Sequence, residues 1–128
     1  MPKQNFKTQN WKETFKHAID GCRYAFLTQK NFKVHFGLST LVIGLAIWLA
    51  IPVEQFILII LAIFLGLTFE MGNTVFEKVV DLITEKYHPT AKIAKDVSAG
   101  MMLLISLGLA ILGILILLPP LLQKIAEL

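Results

Sequence analysis

Four polar side chains recur on one side of an otherwise apolar stretch: Glu70, Asn73, Glu77 and Asp81. On a helix that turns about 100° per residue, Asn73 lies about −60° from Glu70, Glu77 about −20° and Asp81 about +20°, so all four share a face. Two carboxylates a helical repeat apart, with an amide between them, can hold a hard cation such as Mg²⁺ through oxygen and leave one acid free for proton transfer. Glu70 follows Leu65-Gly66-Leu67-Thr68-Phe69 at the hydrocarbon boundary, where an ionisable group is costly enough to mark a functional candidate. The alternative reading is the solvated face of a helix leaving a bilayer, which suits Asp81 better than Glu70. Lys95 and Asp96 stand at the mouth of the next apolar run, and Lys86-Tyr87-His88 occupy the turn before it. Mg²⁺ and lysines beside a partly desolvated carboxylate are the equipment of phosphoryl transfer, in which protein groups mainly position phosphates and offset their charge. There is no G-x-x-x-x-G-K-[ST], so a nucleotide would be held without a P-loop.

These residues need elements to carry them, and the composition says which. The chain has 128 residues, 55% hydrophobic and 16% charged, against about a quarter charged in soluble domains. Its mean hydropathy is +0.67, and since a span needs roughly 20 apolar residues, the length accommodates three spans but no large soluble catalytic domain. The expected fold is all-α and integral to the membrane. Residues 1–33 form an N-terminal segment, polar over 1–9, and residues 34–128 a three-span domain. From Trp11 onward, Phe15, Ala18, Ile19, Cys22 and Phe26 recur at steps of three and four, the pattern of an interfacial amphipathic helix or of one packed on the spans. The first span is expected from His35 to Val53, broken at Pro52. The second begins near Gln55 and continues as one long helix into the cytoplasm, to about Lys86. Pro89 marks a turn, and the third span is apolar from Val97 to Leu118, with Pro119-Pro120 as its stop.

Charge placement orients this layout. Seven of the twelve basic residues precede the first span, four lie in or beside the 78–96 segment, and only Lys124 is near the C-terminus. Basic residues favour the cytoplasmic side, so the N-terminus and the 78–96 segment are expected inside a plasma membrane crossed several times. The N-terminal region is too long for the basic head of a cleavable signal. The single cysteine, Cys22, excludes an internal disulfide scaffold. His17, His35 and His88 lack the partners of a zinc site. Trp11 and Trp48 fit interfacial belts, and Ser106 with Ala110 at small-xxx-small spacing hints at close helix approach. The basic N-terminus flanks membrane helices, which favours anionic lipid over nucleic acid as its partner. A proton-coupled transporter also carries membrane carboxylates, but here the four residues progress toward one side instead of across the bilayer.

The run from Glu70 to Asp81, Glu-Met-Gly-Asn-Thr-Val-Phe-Glu-Lys-Val-Val-Asp, resembles the E-x-x-N-[ST]-x-x-E-x-x-x-D signature of the prokaryotic diacylglycerol kinase family. His88-Pro89-Thr90-Ala91-Lys92-Ile93-Ala94-Lys95-Asp96 is similar to its second block, A-K-x-A-K-D in the Gram-positive branch, whose members include undecaprenol kinases. Gly21 and Asn31-Phe32-Lys33-Val34-His35 also resemble that branch. The resemblance covers about residues 15–118 and implies a homotrimeric membrane kinase that moves the γ-phosphoryl group of MgATP onto a lipid alcohol, undecaprenol favoured and diacylglycerol second. It implies Glu70 as general base with Asn73 beside it, Glu77 as metal ligand and Asp81 in support. It also implies His17, Lys86, Tyr87, His88, Lys95 and Asp96 as ATP contacts.

Two positions depart from the family pattern. Gln29 stands where a second metal-binding glutamate is usual, offering a neutral oxygen in place of a charge. That substitution leaves open a catalytically weakened or silent member acting as an assembly or regulatory protein. Gly72 stands where a branched apolar residue is usual, and either widens the space beside Glu70 or is neutral.

Overall fold

In the computed structural model, residues 10–127 are described; the polar start expected over 1–9 lies outside the described residues. All regular structure among them is helical: α1 (Trp11–Thr28), α2 (Lys30–Trp48), α3 (Val53–Ile83) and α4 (Pro89–Ala126). Helices α2, α3 and α4 are each long and apolar enough to cross a membrane. At 31 residues, α3 is about 46 Å long against a hydrocarbon thickness of about 30 Å, longer than a span needs, and its polar residues gather toward the Asp81 end.

Asn10 starts α1 by accepting the Glu13 amide at 2.9 Å, satisfying one of the free donors of the first turn. The helix then exposes Trp11, Phe15 and Ile19, while Ala25 is buried. Its apolar stripe is thus uncovered by protein, as an interfacial helix requires, and Gly21 and Ala25 line a groove shared with α3. A single extended residue, Gln29, separates α1 from α2. Phe26 braces that elbow, edge-on to Phe32 and Phe36 with ring centroids 6.5 and 5.4 Å away.

The first span starts and ends about five residues earlier than the apolar pattern suggests. Lys30, Asn31 and Lys33 look too polar for a span, yet their backbone continues the helix of the apolar run. At the other end the helix stops before Pro52 is reached. Ala50 N–H donates to the Ile47 carbonyl and Ile51 N–H to the Ala46 carbonyl, the paired bonds of a Schellman cap. Ala50 takes the left-handed position at φ 50°, and Ile51 packs against the cluster of Ala46, Leu49, Ile59, Ile116 and Leu117. This cluster joins the three spans at the end opposite the polar residues.

Helix α3 ends at Ile83, slightly before the expected Lys86, because Thr84 turns extended and its hydroxyl engages both the amide and the carbonyl of Lys86. His88 caps α4 by accepting the Thr90 amide on Nδ1 at 3.2 Å, with Pro89 in the first turn, where a missing N–H costs nothing. The expected stop at Pro119-Pro120 is overturned: α4 runs through both prolines to Ala126. Membrane helices tolerate proline when neighbours or water satisfy the freed carbonyls. Beyond the prolines, Lys124 ties the extension to α2, donating to the Trp48 carbonyl at 2.8 Å with its ammonium 4.7 Å from the indole centroid.

Candidate functional site

On α3, Glu70 lies beside α2, and Asn73 and Asp81 bond to α4. Glu70 is 2% exposed and Asn73 8%, Glu77 is half-buried and Asp81 exposed, so burial fades along the face as the helix leaves the bilayer. The aligned face is therefore more than a solvated stripe, since its inner half is packed inside the protein. From α2, Asn31 and His35 are the polar neighbours of the Glu70 carboxyl. Thr74 returns its hydroxyl to the Glu70 carbonyl at 3.1 Å.

Asn73 joins α3 to α4. Its amide nitrogen donates to Glu77 Oε1 at 3.2 Å, and its Oδ1 accepts the Ser98 hydroxyl at 2.7 Å. Further out, Lys95 donates to Asp81 at 2.7 Å. That bond holds the Asp81 carboxyl below the usual carboxylate range, and the carboxylate raises Lys95 in turn. Asp96 pairs with Lys92 on its own helix, so the two residues of the Lys95-Asp96 pair look to different partners. The structure thus brings Glu70, Asn73, Glu77, Asp81 and Lys95 into one seam.

The remaining expected contacts stand apart from it. His17 is exposed on α1, and Lys86, Tyr87 and His88 are exposed in the turn between α3 and α4, with His88 Nδ1 engaged in the helix cap. Gln29 lies in the α1–α2 elbow, its amide on the Thr28 hydroxyl at 3.1 Å. Gly72 faces open space, where an added Cβ would meet no atom within 4 Å, so within the protomer it does not shape the surroundings of Glu70. Three neighbours were not assigned a place in the site from sequence: Asn31 and His35 beside Glu70, and Ser98 on Asn73. The first two sit four residues apart at the mouth of α2, a spacing that puts both on one helix face.

Among the described residues, no three acidic, histidine or cysteine side chains converge on a metal-sized space. That donor set still suits Mg²⁺ arriving with a nucleotide, because Mg²⁺ commonly takes one or two carboxylates and draws its other ligands from phosphate and water. Glu77 is half-buried and is bonded through one oxygen, to the Asn73 amide.

Below Glu70 the three spans leave an apolar groove of about 690 Å³. It is lined by Leu38 and Val42 of α2, Gly66 of α3, and Ala110 and Gly113 of α4, with His35 at its polar end. Gly66 lies one turn beneath Glu70 and lets α4 approach: a Cβ there would stand 3.0 Å from Leu109 Cδ1.

Fold and site together define a small helical membrane protein whose acids line one helix toward its polar end, beside an apolar groove between the spans. Residues 16–117 match the family model for prokaryotic diacylglycerol kinase, and the chain belongs to that family of lipid kinases. It is 41% identical over 111 residues to a diacylglycerol kinase of Synechocystis, covering 86% of this chain but 63% of that relative's length. It is 35% identical over 109 residues to an undecaprenol kinase of Bacillus subtilis, covering 85% of this chain and 89% of that one. A diacylglycerol kinase of Helicobacter pylori is 33% identical over 101 residues, 77% of this chain and 79% of its own.

Proposed function

We propose that this chain is an ATP-dependent lipid kinase of the plasma membrane, with its site on the cytoplasmic side and undecaprenol as the favoured acceptor over diacylglycerol. The observation that carries the reading is the buried Glu70 one helical turn above Gly66, which lines the apolar groove. A lipid tail in the groove would bring its hydroxyl to the boundary where Glu70 lies. Glu70 takes the hydroxyl proton as the oxygen attacks the γ-phosphorus; the new O–P bond forms, the bond to the β–γ bridging oxygen breaks, and ADP leaves. Mg²⁺ bound with ATP would supply charge neutralisation at the phosphates, and Glu77 would hold it, with Asn73 fixing that carboxylate. Lys86, exposed and without an ion-pair partner among the described residues, is free to meet incoming phosphate. Lys95 must first exchange its bond to Asp81. His17, Tyr87, His88 and Asp96 complete the proposed ATP contacts, and a homotrimer would bring such contacts together from neighbouring copies.

The activities of two of these relatives pull in different directions. Identity is higher to the Synechocystis diacylglycerol kinase, whereas the undecaprenol kinase is matched over nearly its whole length. The test is transfer from γ-labelled ATP, with Mg²⁺, to vesicles containing either undecaprenol or diacylglycerol. Labelled undecaprenyl phosphate in excess is expected; label on diacylglycerol alone would overturn the acceptor, and no labelled lipid would overturn the kinase.

Gln29 supports a second reading, a weakened or silent family member, because no acid stands in the elbow between Thr28 and Lys30. Gln29→Glu should lower the Mg²⁺ concentration needed for half-maximal transfer several-fold if position 29 reaches the metal. An unchanged Mg²⁺ requirement would show that the site works without it.

A further inference from the structure

Helical hydroxyls in this chain mostly turn back on their own backbone. Thr14, Thr28, Ser39, Thr40 and Thr74 each bond the carbonyl four residues earlier, the usual resting place of Ser and Thr in helices. Ser98, 2% exposed, instead donates across the helix pair to Asn73 Oδ1 at 2.7 Å, 25 positions away in sequence. An amide can face a neighbour with either its oxygen or its nitrogen, but a carboxylate can only accept. With Oδ1 held by the Ser98 hydroxyl, Asn73 presents its nitrogen to Glu77 Oε1 at 3.2 Å. The Glu77 Oε2 atom makes no hydrogen bond to the described residues.

We propose that Ser98 is a positioning residue for the nucleotide end of the site: through Asn73, its hydroxyl sets the orientation of the Glu77 carboxylate. This role rests on reading Glu77 as the acid that meets metal-bound phosphate. Removing the hydroxyl leaves Asn73 Oδ1 without a donor in a buried place, and the amide then turns or draws in water. Glu77 loses its fixed partner in either case. Partners that orient metal-binding groups typically matter by about tenfold to a hundredfold in affinity.

The test is binding of Mn²⁺·ATP, followed by Mn²⁺ paramagnetic resonance, to the full chain in lipid nanodiscs, with the thermal midpoint measured alongside. Ser98→Ala should weaken Mn²⁺·ATP binding about tenfold, and Ser98→Thr, which keeps the hydroxyl, should bind as wild type does. In an Asn73→Ala background, Ser98→Ala should add no further loss, because the receiver of the bond is gone. Wild-type affinity in Ser98→Ala, with or without a lower melting midpoint, would overturn the positioning role, as would full additivity with Asn73→Ala. Absence of Mn²⁺·ATP binding by the wild type would overturn the nucleotide site itself, and is thereby distinct from failure of Ser98 alone.

Discussion

Asn73 stands between two helices and an acid, and its partners show what a helical face does not reveal. The alignment of Glu70, Asn73, Glu77 and Asp81 was legible from spacing because helical phase depends only on residue number. Their gradient of burial was not, since it depends on how closely α2 and α4 approach. Ser98 was illegible for another reason: a serine in a helix is ordinary, and its partner is distant in sequence. At the outer end, Asp81 offers a prediction in pH. Its carboxyl is depressed in the folded protein by the Lys95 hydrogen bond, so the pair's stabilisation is fully present above the unfolded value of about 3.9. It is lost as pH falls through the lower folded value. Both side chains are nearly half exposed, so water and salt screen the pair. Asp81→Asn should lower the melting midpoint slightly at pH 7 and low salt, and the difference from wild type should shrink as the pH falls below the ordinary carboxylate range and be lost once it passes the depressed folded value. Identical midpoints at pH 7 and low salt would mean that the pair contributes nothing to stability.

At the scale of elements, the three spans and the amphipathic start were readable from hydropathy and the three-four recurrence of Trp11, Phe15 and Ile19. The ends of those elements were not. Pro52 is an obvious breaker, but α2 stops at Trp48 through backbone bonds around Ala50, and nothing in an alanine announces a left-handed cap. Pro119-Pro120 is the opposite case, a breaker that α4 runs through, with Lys124 beyond it bonded to the Trp48 carbonyl. Ala50 at φ 50° occupies the position where glycine is usual. A side chain there costs roughly 1 kcal/mol, which glycine avoids. Ala50→Gly should therefore raise the thermal midpoint in detergent or nanodiscs while leaving the kinase rate unchanged. A lower midpoint would show that the left-handed geometry is not a cost relieved by glycine.

For the whole molecule, shortage of charge and concentration of function are linked. With nine acids in 128 residues, the chain builds its candidate site from the same helices that cross the bilayer, acids where α3 emerges and a groove beneath them. The proposed topology, with that end in the cytoplasm, is open to accessibility labelling. In a Cys22→Ala background, an impermeant maleimide applied to intact cells should label Glu54→Cys but reach Glu85→Cys only after permeabilisation; the reverse pattern would invert the topology. In the proposed division of labour along α3, Glu70 would act on the lipid and Glu77 on the nucleotide. The most direct measurement compares labelled phosphoryl transfer to lipid with Mn²⁺·ATP affinity in Glu70→Gln, reconstituted in vesicles containing the acceptor. Loss of transfer with wild-type nucleotide affinity is the expected result, and transfer at the wild-type rate would contradict it.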